Sequence, residues 1–75
     1  MEIKVEKTNT HLVLRIPLKA GGEALRSCSR GLGDVIGDRL EIVIPTWLAE
    51  DLHLSLGSTV RVENQDGQLH IQPLI

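Results

Sequence analysis

Residues 40–45 read Leu-Glu-Ile-Val-Ile-Pro, and residues 12–17 read Leu-Val-Leu-Arg-Ile-Pro. In both copies an aliphatic side chain stands at every second position, which is typical of a β-strand with one buried face. The proline that closes each copy has no N–H to give to a strand ladder and therefore ends the strand. A helix-capable segment follows each proline, so this half-repeat is compatible with an internally duplicated small β-barrel.

Beyond the second copy the sequence predicts a short helix and a hairpin. Thr46 is a preferred N-cap residue, and we expect the helix to end near His53. Residues 59–63 predict a strand, because valines alternate with polar residues there. Asp66-Gly67 is a strong signal for a two-residue hairpin turn, and a last strand follows that Pro73 closes.

Upstream of the second copy the signals are weaker. In residues 2–7 and 11–16, apolar residues stand at every second position, which predicts an N-terminal hairpin. In its second strand the side chains of His11, Val13 and Arg15 are expected to face outward. Residues 18–27 predict a short helix weakened by two glycines. Residues 28–38 are rich in glycine and predict an irregular surface connection.

Length and composition allow one small domain. The chain has 75 residues and a mass of 8.3 kDa, with 41% hydrophobic and 24% charged residues, which excludes a multidomain enzyme and a disordered chain. We divide the single domain 1–75 into an N-terminal hairpin (1–17), a helix and loop connection (18–38) and a strand-helix-hairpin core (39–75). The sequence shows neither a secretory signal nor a membrane span, and we expect a cytoplasmic protein.

The predicted core is thin. Trp47 is the one aromatic residue, so the core is built from Leu, Ile and Val, and self-association is a reasonable expectation for so short a chain. Cys28 is the single cysteine and has no partner for a disulfide within the chain.

Charge is divided unevenly along the chain. The formal net charge is −2, yet residues 1–39 hold seven basic and five acidic side chains, whereas residues 40–75 hold one basic and five acidic. Such an asymmetry is able to place a basic surface on an acidic protein.

The residue pattern does not favour an enzyme, a metal site or a cofactor. The three histidines lie on different predicted elements, and neither they nor Cys28 form a paired ligand motif or a nucleophile–histidine arrangement. The glycine-rich run 31–37 allows a phosphate-binding loop, but its spacing fits neither standard phosphate motif, and a flexible connection is the favoured interpretation. We therefore expect no enzymatic activity and no bound cofactor.

The first hairpin carries the most suggestive chemistry. If one face of this two-stranded ribbon presents Lys4, Lys7, Asn9 and Arg15, it is able to enter the major groove of DNA. Lysines would contact phosphates, and Arg or Asn would read base edges. The alternative is a solvated strand whose charges prevent aggregation at the sheet edge.

The core segment also resembles a known family. The pattern of strand, Ile-Pro, short helix, Leu-x-Leu, glycine turn, Val-x-Val, Asp-Gly and a final strand ending in proline runs from residue 40 to residue 73. It is similar to the MazE/AbrB (SpoVT-AbrB) family of swapped-hairpin DNA-binding domains. Residues 5–17 also look like the opening hairpin of a MazE-type antitoxin. Ser58 stands where the family has aspartate, and Val43 stands in the second copy where the first has Arg15.

This resemblance implies a mainly β fold with one or two short helices, a cradle-loop barrel and a homodimer with exchanged hairpins. It implies a transcriptional regulator or antitoxin-type module that binds double-stranded DNA. By the match, Lys7 and Arg15 inherit the DNA-contacting role, with Asn9 as a further candidate. In the DNA-binding hypothesis, Lys4, Lys7 and Arg39 neutralise phosphates while Arg15 and Asn9 supply specificity.

Two alternatives to DNA binding follow from the same sequence. The overall acidity favours a protein-interaction or assembly barrel that has lost DNA binding, and the glycine-rich run favours a barrel that binds a small anion. A toxin partner is compatible with the resemblance, but the chain stops at Ile75, just after the last strand, and a toxin-wrapping tail is not expected.

Overall fold

The computed structural model describes residues 1–74, which form a mainly β fold, as the sequence predicts. Within this range there are seven strands and two short α-helices, with a 3₁₀ turn at Leu18–Ala20. The elements are β1 Glu2–Lys4, β2 Glu6–Lys7, β3 Leu12–Pro17, α1 Gly22–Arg26, β4 Gly33–Ile36, β5 Arg39–Ile44, α2 Thr46–Asp51, β6 Thr59–Gln65 and β7 Gln68–Leu74. None of the helices in residues 1–74 has the length and apolar character needed to cross a membrane.

The strands form two antiparallel sheets around an aliphatic core. One sheet has the order β1-β6-β7 and the other the order β2-β3-β5-β4. The alternating aliphatic positions of the two repeat copies supply the centre of the core, because the predicted inward faces of β3 and β5 lie side by side. The buried members of this core are Val5, Leu14, Ile16, Leu25, Leu40, Ile42, Ile44, Ala49, Leu54, Val60 and Val62.

The N-terminal strand is divided between the two sheets, which corrects the predicted pairing. Residues 2–4 pair with β6, and only Glu6 and Lys7 pair with β3. The division falls at Val5, which is 1% exposed and whose N–H donates to the carbonyl of Ser58 at 2.7 Å. The chain passes from one sheet to the other at Val5, and the buried Val5 side chain packs in the core that the two sheets share.

The glycine-rich connection predicted for residues 28–38 is wrong in its second half. Gly33–Ile36 form β4 and pair with β5, with Gly37 and Asp38 as the turn between them. Glycine is required at residue 33 by packing, since a Cβ there would lie 2.5 Å from Oγ of Ser29. The glycines that suggested a loop are therefore part of a tight hairpin between β4 and β5.

The helical segments form close to where they are predicted, with different ends. Gly21, at φ 108°, separates the 3₁₀ turn from α1 within the segment 18–27. Thr46 is the first residue of α2 rather than its N-cap, which is Pro45 and makes no side-chain capping bond. The α2 helix ends at Asp51, and His53 adopts φ 56°, which a continuing helix does not permit.

The C-terminal hairpin confirms the Asp-Gly prediction. Asp66 and Gly67 have φ of 55° and 83°, so both central residues have the positive φ of a type I′ turn. Pro73 does not end the structure, because it lies inside β7 opposite Val60. The proline is tolerated there since β7 is an edge strand of its sheet.

Candidate nucleic-acid interface

The β2–β3 hairpin ends in a loop, residues 8–11, that its own side chains hold in place. The N–H of Thr8 donates to the carbonyl of His11 at 2.8 Å. The Thr8 hydroxyl accepts from the N–H groups of Thr10 and His11 at 3.3 and 3.1 Å. Oγ1 of Thr10 lies 2.7 Å from Nδ1 of His11. These bonds leave Asn9 exposed at the apex of an ordered tip.

A cleft of about 360 Å³ opens between this tip and the start of α2. Its polar walls come from Lys7, the loop and Thr46, and its floor is aliphatic. No aspartate or glutamate in residues 1–74 lines it, and none of them forms an ion pair with Lys7. The lining residues are Lys7, Asn9, Thr10, His11, Leu12, Ile44, Thr46 and Ala49.

Three other clefts of residues 1–74 contain carboxylates. A larger cleft of about 500 Å³ beside β4 is lined by Asp34 and Glu41 and has no cation. The cleft near the N-terminus contains Glu63, and the one below α1 combines Arg26 and Arg30 with Asp34. The hairpin cleft therefore brings a cation and several hydrogen-bond donors together without a carboxylate.

Arg15 is engaged with two carboxylates instead of projecting freely. Its Nε donates to Oε2 of Glu41 at 3.0 Å, and its Nη1 donates to Oε1 of Glu6 at 3.1 Å. The hydrogen bond to Glu41 first, and that to Glu6 second, raises the pKa of the Arg15 guanidinium above its ordinary value. Because Glu6 lies on β2 and Glu41 on β5, this arginine links three strands.

The structure does not bring the five sequence-predicted contact residues onto one face. Lys7 pairs with Leu12 and shares its face of the sheet. Arg15 bonds Glu6, whose pairing partner is Val13, so Arg15 lies on the face of Val13. Leu12 and Val13 are adjacent in β3, so Lys7 and Arg15 point to opposite faces. Lys4 belongs to the other sheet, where it pairs with Thr59. The single basic face predicted for the hairpin is therefore wrong, and Lys7 and Asn9 are the two candidates that stay together.

Arg39 lies at the far end of the four-stranded sheet. It pairs with Pro17 at the end of β3, whereas Lys7 pairs with Leu12 at its start. These positions are the two ends of the six-residue strand β3, so five steps of extended strand, about 17 Å, separate them. Arg39 is exposed but does not share a surface with the hairpin cleft.

The outward face of β3 holds a second correction. Val13 shares this face with Arg15, as predicted, yet it is 1% exposed. β3 is an interior strand, so Val13 has a pairing partner on each side, Glu6 on β2 and Val43 on β5.

Residues 31–37 do not form the glycine-rich loop that the anion-binding interpretation requires, because residues 33–36 are a strand. The N–H of Gly33 donates to the carbonyl of Ser29 at 2.7 Å, and the segment continues into β4. The backbone groups that a ligand would need are partly used within the fold, so this run supports no phosphate cradle.

Sequence reasoning missed three polar residues of the cleft: Thr10, His11 and Thr46. Thr46 follows the second Ile-Pro, and the pairing of Leu12 with Ile44 places it beside the first hairpin. Only the repeat itself carried a signal for this contact, because it predicts that the two copies pack together. Among residues 1–74 no group of three His, Cys, Asp or Glu side chains is placed to hold a metal ion.

Comparison of the chain with protein-family models, with curated protein sequences and with solved structures finds no significant match.

Proposed function

We propose that this protein is a DNA-binding module, of the transcriptional-regulator or antitoxin type, that contacts duplex DNA through the tip of the β2–β3 hairpin. The observation that carries the proposal is the cleft around Lys7, which no Asp or Glu among residues 1–74 lines, in a chain of net charge −2. A phosphate group is attracted to such a site and repelled by the cleft beside β4, which Asp34 and Glu41 line.

The fold part of this proposal is an AbrB/MazE-like barrel. It is supported by the continuity of β1 and β2, which only Val5 separates. One segment of chain therefore forms an edge strand of both sheets. This shared edge gives the hairpin tip a rigid base. The homodimer with exchanged hairpins is an expectation from the sequence that a measurement of mass in solution decides. The toxin partner and the cytoplasmic location stay predictions.

Each residue of the tip has a role in the proposed contact. Lys7 neutralises a phosphate, and the Asn9 amide, exposed at the apex, has both a donor and an acceptor for a base edge. Thr8 keeps the loop in shape before binding, which lowers the entropic cost of recognition. Lys4 lies on β1 in the other sheet and has no assigned role in this contact.

We assign Arg15 to positioning instead of base reading. Its guanidinium already donates to Glu41 and Glu6, and a base contact would have to replace these charge-assisted bonds. By holding β2 against β3, Arg15 sets the direction of the hairpin. Arg39 is too far from the cleft to contact the same phosphates.

The test is fluorescence anisotropy with duplexes enriched from a random library at low salt. Lys7→Ala is expected to weaken binding on all sequences and to reduce the slope of log affinity against log salt by about 0.9, the value of one lost phosphate contact. Asn9→Ala is expected to cost about 1–3 kcal/mol on the enriched sequence and much less on unrelated DNA.

Lys19→Ala is the matched control, because Lys19 is an exposed lysine in the 3₁₀ turn that follows β3, at the end remote from the tip. It removes the same charge and should leave the salt slope unchanged. Equal effects of Lys7→Ala and Lys19→Ala would show that DNA is attracted to no particular surface. If no duplex is enriched at low salt, the proposal is wrong.

A further inference from the structure

The four-stranded sheet is built on a local two-fold axis. In the β3–β5 ladder Leu14 lies opposite Ile42, and both are the third residue of their repeat copy. The first residue of each copy lies opposite the fifth residue of the other copy: Leu12 is opposite Ile44, and Ile16 is opposite Leu40. The two copies thus meet as identical strands of a symmetric dimer would meet, but within one chain.

The outer strands obey the same symmetry. Glu6 pairs with Val13, and the residues 28 positions further on, Asp34 and Glu41, also pair. The pair Lys7–Leu12 likewise corresponds to the pair Val35–Leu40, 28 positions further on. The order β2-β3-β5-β4 is therefore two hairpins related by one axis.

The segments after the two prolines continue this correspondence. Pro17 has φ −56° and ψ 134°, and Pro45 has φ −58° and ψ 148°. Each is followed at once by a helical turn, which starts at Leu18 in the first copy and at Thr46 in the second, again 28 positions apart. Sequence, pairing register and backbone conformation thus show the same duplication.

The two ends of this sheet have diverged in chemistry. The counterparts of Lys7, Asn9 and Arg15 are Val35, Gly37 and Val43. At the second end Val35 and Ile36 are 37% and 57% exposed. Residues 34–39 hold two aspartates and one arginine, whereas residues 6–11 hold one glutamate and one lysine. The second end is thus more acidic and more apolar than the first.

We propose that one chain supplies both halves of this pseudo-symmetric unit and that only the Lys7 end binds DNA, so that a single chain recognises one asymmetric half-length site. This rests on the proposed DNA-binding function. The core that a second chain would complete in a homodimer is already filled, because both copies contribute to one buried cluster. A second equivalent end, which a palindrome would need, is missing because of the changes at residues 35, 37 and 43.

The experiment combines sequence selection with stoichiometry. The full chain is used to enrich duplexes from a random library, and the bound species is weighed by native mass spectrometry. We expect one chain per duplex, a non-palindromic motif of about 5–6 base pairs, half of one helical turn, and a free-protein mass of 8.3 kDa. Two chains on a palindrome would overturn this inference and leave the proposed function intact.

Matched variants test which end is used. Lys7→Ala is expected to weaken binding about tenfold at low salt, and Arg39→Ala, at the second end, less than twofold. Equal losses would show that both ends contact DNA and would overturn the inference. If no duplex is enriched at all, both the proposed function and this inference are wrong. Enrichment of a non-palindromic motif by a dimer of 8.3 kDa chains would overturn the inference alone.

Discussion

Replacing Arg15 with methionine tests whether its guanidinium holds β2, β3 and β5 together. Methionine keeps an apolar stem of similar length, so the change removes mainly the bonds to Glu41 and Glu6, which measure 3.0 and 3.1 Å. The side chains of Arg15 and Glu41 are 31% and 21% exposed, so solvent screens their pair less than a fully exposed one.

The expected loss of stability is modest. A partly exposed ion pair contributes about 0.2–1 kcal/mol, and two such pairs put the loss near 1 kcal/mol. Removing the cation also leaves the carboxylates of Glu6 and Glu41 without this partner. For a chain of 75 residues, 1 kcal/mol lowers the melting temperature by about 6 °C.

The assay is urea and thermal unfolding followed by far-ultraviolet circular dichroism. Trp47 is 68% exposed, so its fluorescence would change little on unfolding and is a poor probe. Arg61→Met is the matched control, because Nη2 of Arg61 lies 3.6 Å from Glu2 and the two side chains are 45% and 60% exposed. We expect Arg61→Met to cost no more than a few tenths of a kcal/mol.

A double-mutant cycle decides the result. Arg15→Met combined with Glu41→Gln should show a coupling energy of about 0.5–1 kcal/mol, decreasing in about 1 M salt. If Arg15→Met and Arg61→Met have the same effect, or if the cycle is additive, then Arg15 does not link the strands.

The pH dependence of the Arg15 contribution has a definite sign. The pKa of Arg15 is raised in the folded state, so its contribution is fully present below the unfolded pKa and is lost only as pH rises through the folded value. The difference between the wild-type chain and Arg15→Met should therefore not fall between about pH 7 and pH 10. A decrease in that range would show that another group is responsible.

Substitutions at three further positions test the fold. Leu14→Ala is expected to lower the free energy of unfolding by about 2–5 kcal/mol, because this side chain is 0% exposed at the centre of the core; a loss below 1 kcal/mol in urea unfolding would contradict its position. Gly22→Ala should cost about 1–3 kcal/mol in the same assay, since the added Cβ would lie 2.8 Å from the carbonyl oxygen of Ile16; an unchanged midpoint would refute the close approach. Asp66→Val should cost about 1–2 kcal/mol because φ is 55°, whereas Asp66→Asn should be nearly neutral; equal melting temperatures for the two variants would exclude the left-handed turn.

Local sequence signals predicted the elements whose causes are local. The alternation in residues 12–16 and 40–44 and the prolines that follow gave β3 and β5 nearly to the residue. The Asp66-Gly67 turn was equally clear, since two positive φ angles select those residue types. In contrast, β4 was not predicted, because the glycines in and around it are typical of loops and only the folded structure packs Ser29 against Gly33.

The candidate site shows the same division. Lys7 and Asn9 were identifiable from residue type and from their place at a hairpin tip. Whether a cation is free depends on its partners, and Glu41 lies 26 residues from Arg15. No local pattern reports such a contact, so the predicted base-reading role of Arg15 could not be judged from sequence.

By itself the sequence determined the strand character of both repeat copies, the aliphatic faces that form the core, and the supply of basic and amide groups in the first hairpin. These follow from side-chain periodicity and backbone preference, which act over a few residues. Only the tertiary structure decided that residues 2–4 pair with β6 and that Lys7 and Arg15 face opposite ways. It also decided that no Asp or Glu of the described residues 1–74 lines the cleft around Lys7. Those outcomes depend on which distant strands share an edge, because strand register sets the face of each side chain.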